Sequence, residues 1–271
     1  MRHKKWVALV GLSGLGFLAA GAAVRAIEVQ ESGLATLVDI VISRSGSYLG
    51  LENATTQSLR KVARAGVPLG VTAFGELRSA LSAAQSQPSA PTESDRVQAA
   101  ALGIVDAKDK IINMLQESLS PEDRMNLITK VANQIEQRTG LLPEDGENLA
   151  SIVRKSHLRK ISRLLNWSPD RASALQETME PMIAERGELR RARHALIGRM
   201  KAASSTEAPD LMAAWDHLNS EASQITRRQI EATARTFTPA EKQTLARSAH
   251  ERLERVMGFF ALVGAHKPIG G

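Results

Sequence analysis

Cysteine is absent from this chain. That excludes disulfides, thiolate metal sites, cysteine nucleophiles and an N-terminal lipid-bearing cysteine. Aromatic residues make up only 3% of the sequence, so any core must be built from Leu, Ile, Val, Met and Ala. No glycine-rich phosphate loop follows a strand-like run, and nucleophile-elbow and metalloprotease motifs are missing. No catalytic residue is therefore assigned, and an enzyme is not expected. Gly and Pro crowd into the N-terminal third and the linkers, leaving long stretches rich in Ala, Glu, Arg and Leu. Such stretches are the composition of helices, and the expected fold class is all-α.

The net charge is +6 and the isoelectric point about 9.8. Four of those charges (Arg2, Lys4, Lys5 and Arg25) fall within residues 1–26, which hold no acid; +6 less these four leaves +2 for the other 245 residues. A surface so nearly balanced does not concentrate charge for phosphate backbones, and no nucleic-acid partner is expected.

Trp6 to Val24 runs 19 residues without a charge, behind a basic Met1–Lys5 flank. That length spans a hydrocarbon core of roughly 30 Å as a helix. The flank predicts a cytoplasmic N-terminus and export of everything after residue 26. The expectation is a single-pass inner-membrane anchor over 1–26 with the bulk of the protein in the bacterial periplasm. A cleaved signal sequence, ending at Val24-Arg25-Ala26, is the competing reading and would leave the protein free in the periplasm. Residues 27–55 then read as a stalk, with Ser43–Gly50 breaking a short apolar run.

Helical patterns follow over Thr56–Ala84 and Asp95–Ser118, separated by a polar Pro/Ser turn at 86–94. Ser120-Pro-Glu-Asp123 is a helix start, with Ser as N-cap, Pro at the first helical position and acids in the first turn. That helix runs to about Arg138. Residues 139–166 read as a linker and a basic amphipathic helix from Asn148 to Leu165.

Ser168 and Pro169 open the longest pattern. Leu175, Met182, Leu189 and Leu196 recur every seven residues, with Met179, Arg186, Arg193 and Met200 between them. This is an a/d seam carrying two arginines. After a polar turn at Ser204–Pro209, Leu211, Leu218, Ile225 and Ala232 repeat by seven, with Trp215, Ala222 and Gln229 between. In antiparallel register Met200 meets Leu211, Leu196 meets Trp215 and Leu189 meets Ala222, predicting a hairpin roughly 40 Å long. Thr238-Pro239-Ala-Glu241 starts a last helix with a capping box. The apolar run Val256–Ala265 is too short to span a membrane.

An internal repeat is indicated. Gly75-Glu-Leu-Arg78 recurs as Gly187-Glu-Leu-Arg190. Each follows a proline (Pro68, Pro181), and each precedes a polar turn, a second helix and a Ser/Thr-Pro-acid helix start. Two tandem hairpin units are expected, over 56–138 and 167–265.

Trp167-Ser-Pro-Asp-Arg171, with Gln176, and Phe237-Thr-Pro-Ala-Glu-Lys-Gln243 bracket the second hairpin. With Arg186–Leu196 they make the second unit resemble the Spy/CpxP-type periplasmic chaperones and the related CnrX-like heavy-metal sensor and resistance proteins. That family carries Leu-Thr-x-x-Gln-like starts; here the first Leu-Thr is Trp-Ser, and neither start has Gln in its usual place. The resemblance makes Ser168, Pro169, Thr238, Pro239 and Glu241 the family-motif residues. It implies a cradle-shaped all-α dimer that binds unfolded proteins without ATP in envelope stress or heavy-metal resistance. Alternatively it implies a membrane-anchored metal sensor acting on a membrane signalling partner. A structural helical adaptor is a third reading.

Arg186, Arg190, Arg191, Arg193, Arg227 and Arg228 form the densest basic patch and the candidate client- or partner-binding surface. The stems of Arg186 and Arg193 can cover apolar surface while their heads reach water. His194 and His217 share a level of the hairpin and are the candidate ligands for a transition metal. Lying one residue after and one before the seam, they point to opposite sides. No metal and no cofactor are therefore assigned.

Overall fold

Helix starts in this protein are written into short local signals. A computed structural model describes residues 42–43, 46–86, 91–139 and 158–265. Among these residues there is no strand, and the protein is all-α. Six helices are α1 (Asn53–Ser86), α2 (Pro91–Ser118), α3 (Pro121–Thr139), α4 (Pro169–Ala202), α5 (Ala208–Thr236) and α6 (Pro239–Ala265). A short helical segment at 158–164 precedes α4. The expected anchor at 1–26 lies outside the described residues, as do most of the expected stalk and residues 140–157. No helix among the described residues is long and apolar enough to cross a membrane.

Four of the helices begin on proline, whose fixed φ suits the first helical position and whose missing N–H is not needed there. This moves the start of α2 to Pro91, four residues ahead of the Asp95 expected from periodicity. Ser168 Oγ accepts the Arg171 N–H at 3.2 Å, and Ser120 Oγ accepts the Asp123 N–H at 3.1 Å. The polar turn after α4 is a single 3₁₀ turn, Ser205–Glu207, so Pro209 already belongs to α5. Residues 46–49, expected as a break, form a helical turn ended by Gly50 at φ +58°. There Leu51 N–H reaches Gly46 O at 2.9 Å and Gly50 N–H reaches Ser47 O at 3.3 Å, the paired bonds of a Schellman motif. Asn166, at φ +51°, ends the 158–164 segment in the same way.

Helices α1 and α2 pack on each other, as do α4 and α5. Contacts between α4 and α5 run in opposite directions along the two helices. Arg186 meets Thr226 while Arg193 meets Asn219. The seam residues Leu175, Met182, Leu189, Leu196 and Met200 are all buried. Met182, Leu189 and Ile225 form one cluster with Met179, Leu218 and Ala222.

The third helix of each trio packs on the other pair: α3 lies on α4 and α5, and α6 on α1 and α2. Met125 of α3 enters the cluster of Leu196, Met200, Ala208, Leu211 and Met212. Arg124 binds Asp216 at 2.9 Å and Lys201 binds Glu136 at 2.7 Å along the same contact. On the other side Ala246 and Leu253 of α6 pack with Leu77, Leu81, Ala84 and Val97, and Arg78 binds Glu254 at 2.7 Å. Helices α2 and α5 pack on each other and join the two pairs.

The carboxylate three residues into α3 and into α6 does a second job. Besides facing its N-cap, Asp123 accepts the Thr55 hydroxyl at 3.1 Å from the start of α1. Glu241 accepts the Thr238 N–H at 2.7 Å, Trp167 Nε1–H at 2.5 Å and Arg171 at 3.1 Å. Trp167 stacks on Phe237 at 5.4 Å, and Arg171 lies 5.1 Å over the Trp167 ring. Partial burial pushes the Glu241 pKa up, but the donors of Thr238, Trp167 and Arg171 outweigh it and hold the pKa below its ordinary 4.5. The clasp's contribution is therefore complete above pH 4.5 and is lost as pH falls through the depressed folded-state value. Glu241→Gln is expected to cost about 1–2 kcal/mol at pH 7. It should also flatten the acid limb of stability below roughly pH 5. Urea unfolding of both proteins at pH 7 and pH 3.5 checks this: an unchanged gap between them at the two pH values contradicts it.

Candidate functional site

The six arginines of the basic patch lie on the facing helices α4 and α5, and the structure divides them by what they meet. Arg227 points from α5 to α2, binding Asp106 at 2.6 Å and Asp109 at 2.9 Å. Those carboxylates raise its pKa. Arg228 pairs with Glu185 across the other edge of the α4–α5 contact. Arg191 pairs with Glu188 on its own helix at 2.5 Å. These three charges are neutralised.

Arg186, Arg190 and Arg193 are different. They sit at i, i+4 and i+7 on α4 and share one face. Among the described residues no carboxylate lies within ion-pair distance of any of them. Arg186 donates to Thr226 Oγ1 at 2.8 Å. Arg193 donates to Asn219 Oδ1 at 2.7 Å and Leu218 O at 3.2 Å, and lies 5.6 Å over the Trp215 ring. The Nε atoms of Arg190 and Arg193 are buried without a hydrogen-bond partner. Burial lowers the pKa of Arg193, and burial together with the nearby Arg190 charge lowers that of Arg186.

Half-buried cations held by neutral groups are costly, because amide, hydroxyl and ring dipoles replace only part of the lost hydration. Arg193→Met, which keeps the stem and drops the charge, is therefore expected to leave stability unchanged or raise it by up to about 1 kcal/mol. Denaturant unfolding at pH 7 tests this; a loss above about 1 kcal/mol would mean that the charge itself holds the α4–α5 contact.

The family-motif residues Ser168, Pro169, Thr238, Pro239 and Glu241 act at helix starts and in the Trp167 clasp. They stand at the far end of α4 from Arg193. His217 is exposed, 3.6 Å from Glu221, and His194 is half-buried. No group of three or more His, Asp or Glu suited to a metal occurs among the described residues.

Residues not expected from the sequence complete the arrangement. Asn219 and Thr226, the neutral partners of the seam arginines, sit one position from the apolar register, a signal present in the heptad spacing. Ser223 is buried between α5 and α2, accepting from Lys108 at 2.6 Å and donating to Asp109 at 2.6 Å. Only tertiary packing joins these residues. Tyr48 donates to Gln134 at 2.6 Å and Lys130 to Gly50 O at 2.6 Å, tying the segment before α1 to α3.

No family model, curated protein or solved structure matches this chain.

Proposed function

We propose that this chain is an ATP-independent, chaperone-like binding protein of the bacterial periplasm, anchored in the inner membrane by residues 1–26 and built as a Spy-like cradle. The observation that carries the reading is the α4 face on which Arg186, Arg190 and Arg193 keep their charge uncompensated beside Trp215. A mixture of half-buried cation and apolar side chains suits weak, broad capture of unfolded segments.

Two tandem hairpin units fit the same reading. The helix lengths, 34, 28 and 19 residues against 34, 29 and 27, follow one order. Both units clasp the first helix with the acid three residues into the third. The Gly-Glu-Leu-Arg matches are less regular: Gly75 is the 23rd residue of α1 but Gly187 the 19th of α4, about one turn apart. Helix order therefore supports a duplication better than the tetrapeptide does. A homodimer would extend the cradle.

The test is light scattering of a chemically unfolded client diluted into buffer with the full chain. Suppression of aggregation at near-stoichiometric protein, without ATP, is the expected result; undiminished aggregation contradicts the reading. A second reading, a membrane-anchored metal sensor acting on a membrane partner, draws on the Tyr48 and Lys130 bonds that join the membrane-proximal segment to α3. Titration of the full chain with Zn, Cu, Ni and Co separates the two, since the sensor requires tight binding of one of them.

A further inference from the structure

The three uncompensated arginines on α4 narrow the chemistry of what binds there. We infer that Arg186, Arg190 and Arg193 form a site for a multivalent oxyanion, with a short chain of phosphate groups as the matching ligand. This rests on the same α4 face being the binding surface, though not on any action toward unfolded proteins. From Arg186 to Arg193 the row spans eight residues of helix, seven rises or about 10 Å along its axis. It carries three positive charges and, among the described residues, no carboxylate. The other arginines of the patch are satisfied by Asp106, Asp109, Glu185 and Glu188, so within the patch the deficit falls on this stripe.

The donors have the right character. Guanidinium forks bind phosphate through paired, charge-assisted hydrogen bonds. Arg190 Nε and Arg193 Nε are buried and lack an acceptor, so it is the terminal nitrogens that a ligand meets. Asn219 and Thr226 each hold one terminal nitrogen of their arginine, fixing its head while other N–H groups stay unclaimed. A single carboxylate satisfies one such fork. Successive phosphates, with three acceptor oxygens on a terminal group, supply acceptors along the whole row. An anion there would also relieve the repulsion between Arg186 and Arg190.

The experiment is calorimetric titration of the full chain with sodium tripolyphosphate, orthophosphate or poly-glutamate, at ionic strength held constant with NaCl. Saturable binding of tripolyphosphate is expected. Arg190→Gln should weaken it by about tenfold or more, one fork being worth roughly that factor. Arg191→Gln, which removes a neutralised neighbour, should change it by less than about twofold. Should Arg190→Gln fail to fold, Arg190→Lys keeps the charge and loses the fork, and a smaller loss is expected. Orthophosphate binding as well as tripolyphosphate identifies a free-ion site; binding of tripolyphosphate alone identifies a chain of phosphates. Absence of saturable binding, equal losses in Arg190→Gln and Arg191→Gln, or binding of poly-glutamate alone each overturns the inference. Failure to suppress client aggregation while tripolyphosphate still binds removes the chaperone reading and leaves this site standing. The converse result removes this site alone.

Discussion

Met212→Ala is expected to destabilise the protein by about 2–5 kcal/mol at 25 °C, the largest effect of any single truncation. Met212 is 1% exposed and sits where α3, α4 and α5 meet. Its cluster contains Met125, Leu196, Met200, Ala208 and Leu211. Three helices tied together by the Arg124–Asp216 and Lys201–Glu136 bridges leave little freedom to collapse on a cavity. The cost should therefore combine lost transfer energy with an unfilled void. Met212→Leu nearly conserves volume and should cost less than about 1.5 kcal/mol. Urea titrations of both variants with an unchanged m-value check this. A loss below about 1 kcal/mol for the alanine variant would mean that α3 does not close over the end of the α4–α5 pair.

Asp109→Ala should cost about 1–3 kcal/mol, because it removes the acceptor of a buried hydroxyl and one of two carboxylates on Arg227. Ser223 is 4% exposed and would keep only the more distant Asn219 O, at 3.2 Å, as acceptor. Arg227 is about one-third exposed and retains Asp106, so most of the loss belongs to Ser223. Ser223→Ala combined with Asp109→Ala should recover part of it, since the buried hydroxyl left with only its longer bond to Asn219 O is then gone as well. A double-mutant cycle by denaturant unfolding reads the coupling. Strict additivity would show that α2 and α5 are not joined through this hydroxyl.

What was legible in the sequence follows from how local each signal is. Ser168, Ser120 and Thr238 cap helices because an N-cap needs only the residues within one turn. The buried α4 residues Leu175, Met182, Leu189, Leu196 and Met200 are those of the heptad count, since a seven-residue repeat keeps one stripe facing one neighbour. The resemblance to a chaperone family, by contrast, remains an expectation carried by short motifs, and the arginine surface a proposal.

The exchange of α3 and α6 between pairs had no such signal. Met125 and Ala246 are ordinary apolar residues on amphipathic helices, and either would fit against either pair. The division of the arginines was equally hidden. Arg190 and Arg191 are adjacent in sequence, yet one is paired and the other has a buried Nε without a partner. Arg227 is neutralised by residues more than a hundred positions away. Net charge along a helix cannot distinguish these cases, because the compensating acids arrive through tertiary packing.

The most direct test of the binding face compares two neighbouring residues of α4 by affinity for one permanently unfolded, fluorescently labelled client. Arg190→Gln and Arg191→Gln remove the same charge from the same helix. The expected result is a several-fold rise in Kd for Arg190→Gln and a change of less than about twofold for Arg191→Gln, whose charge is already met by Glu188. Equal changes in the two variants, or none in either, would contradict the assignment of binding to the uncompensated face of α4.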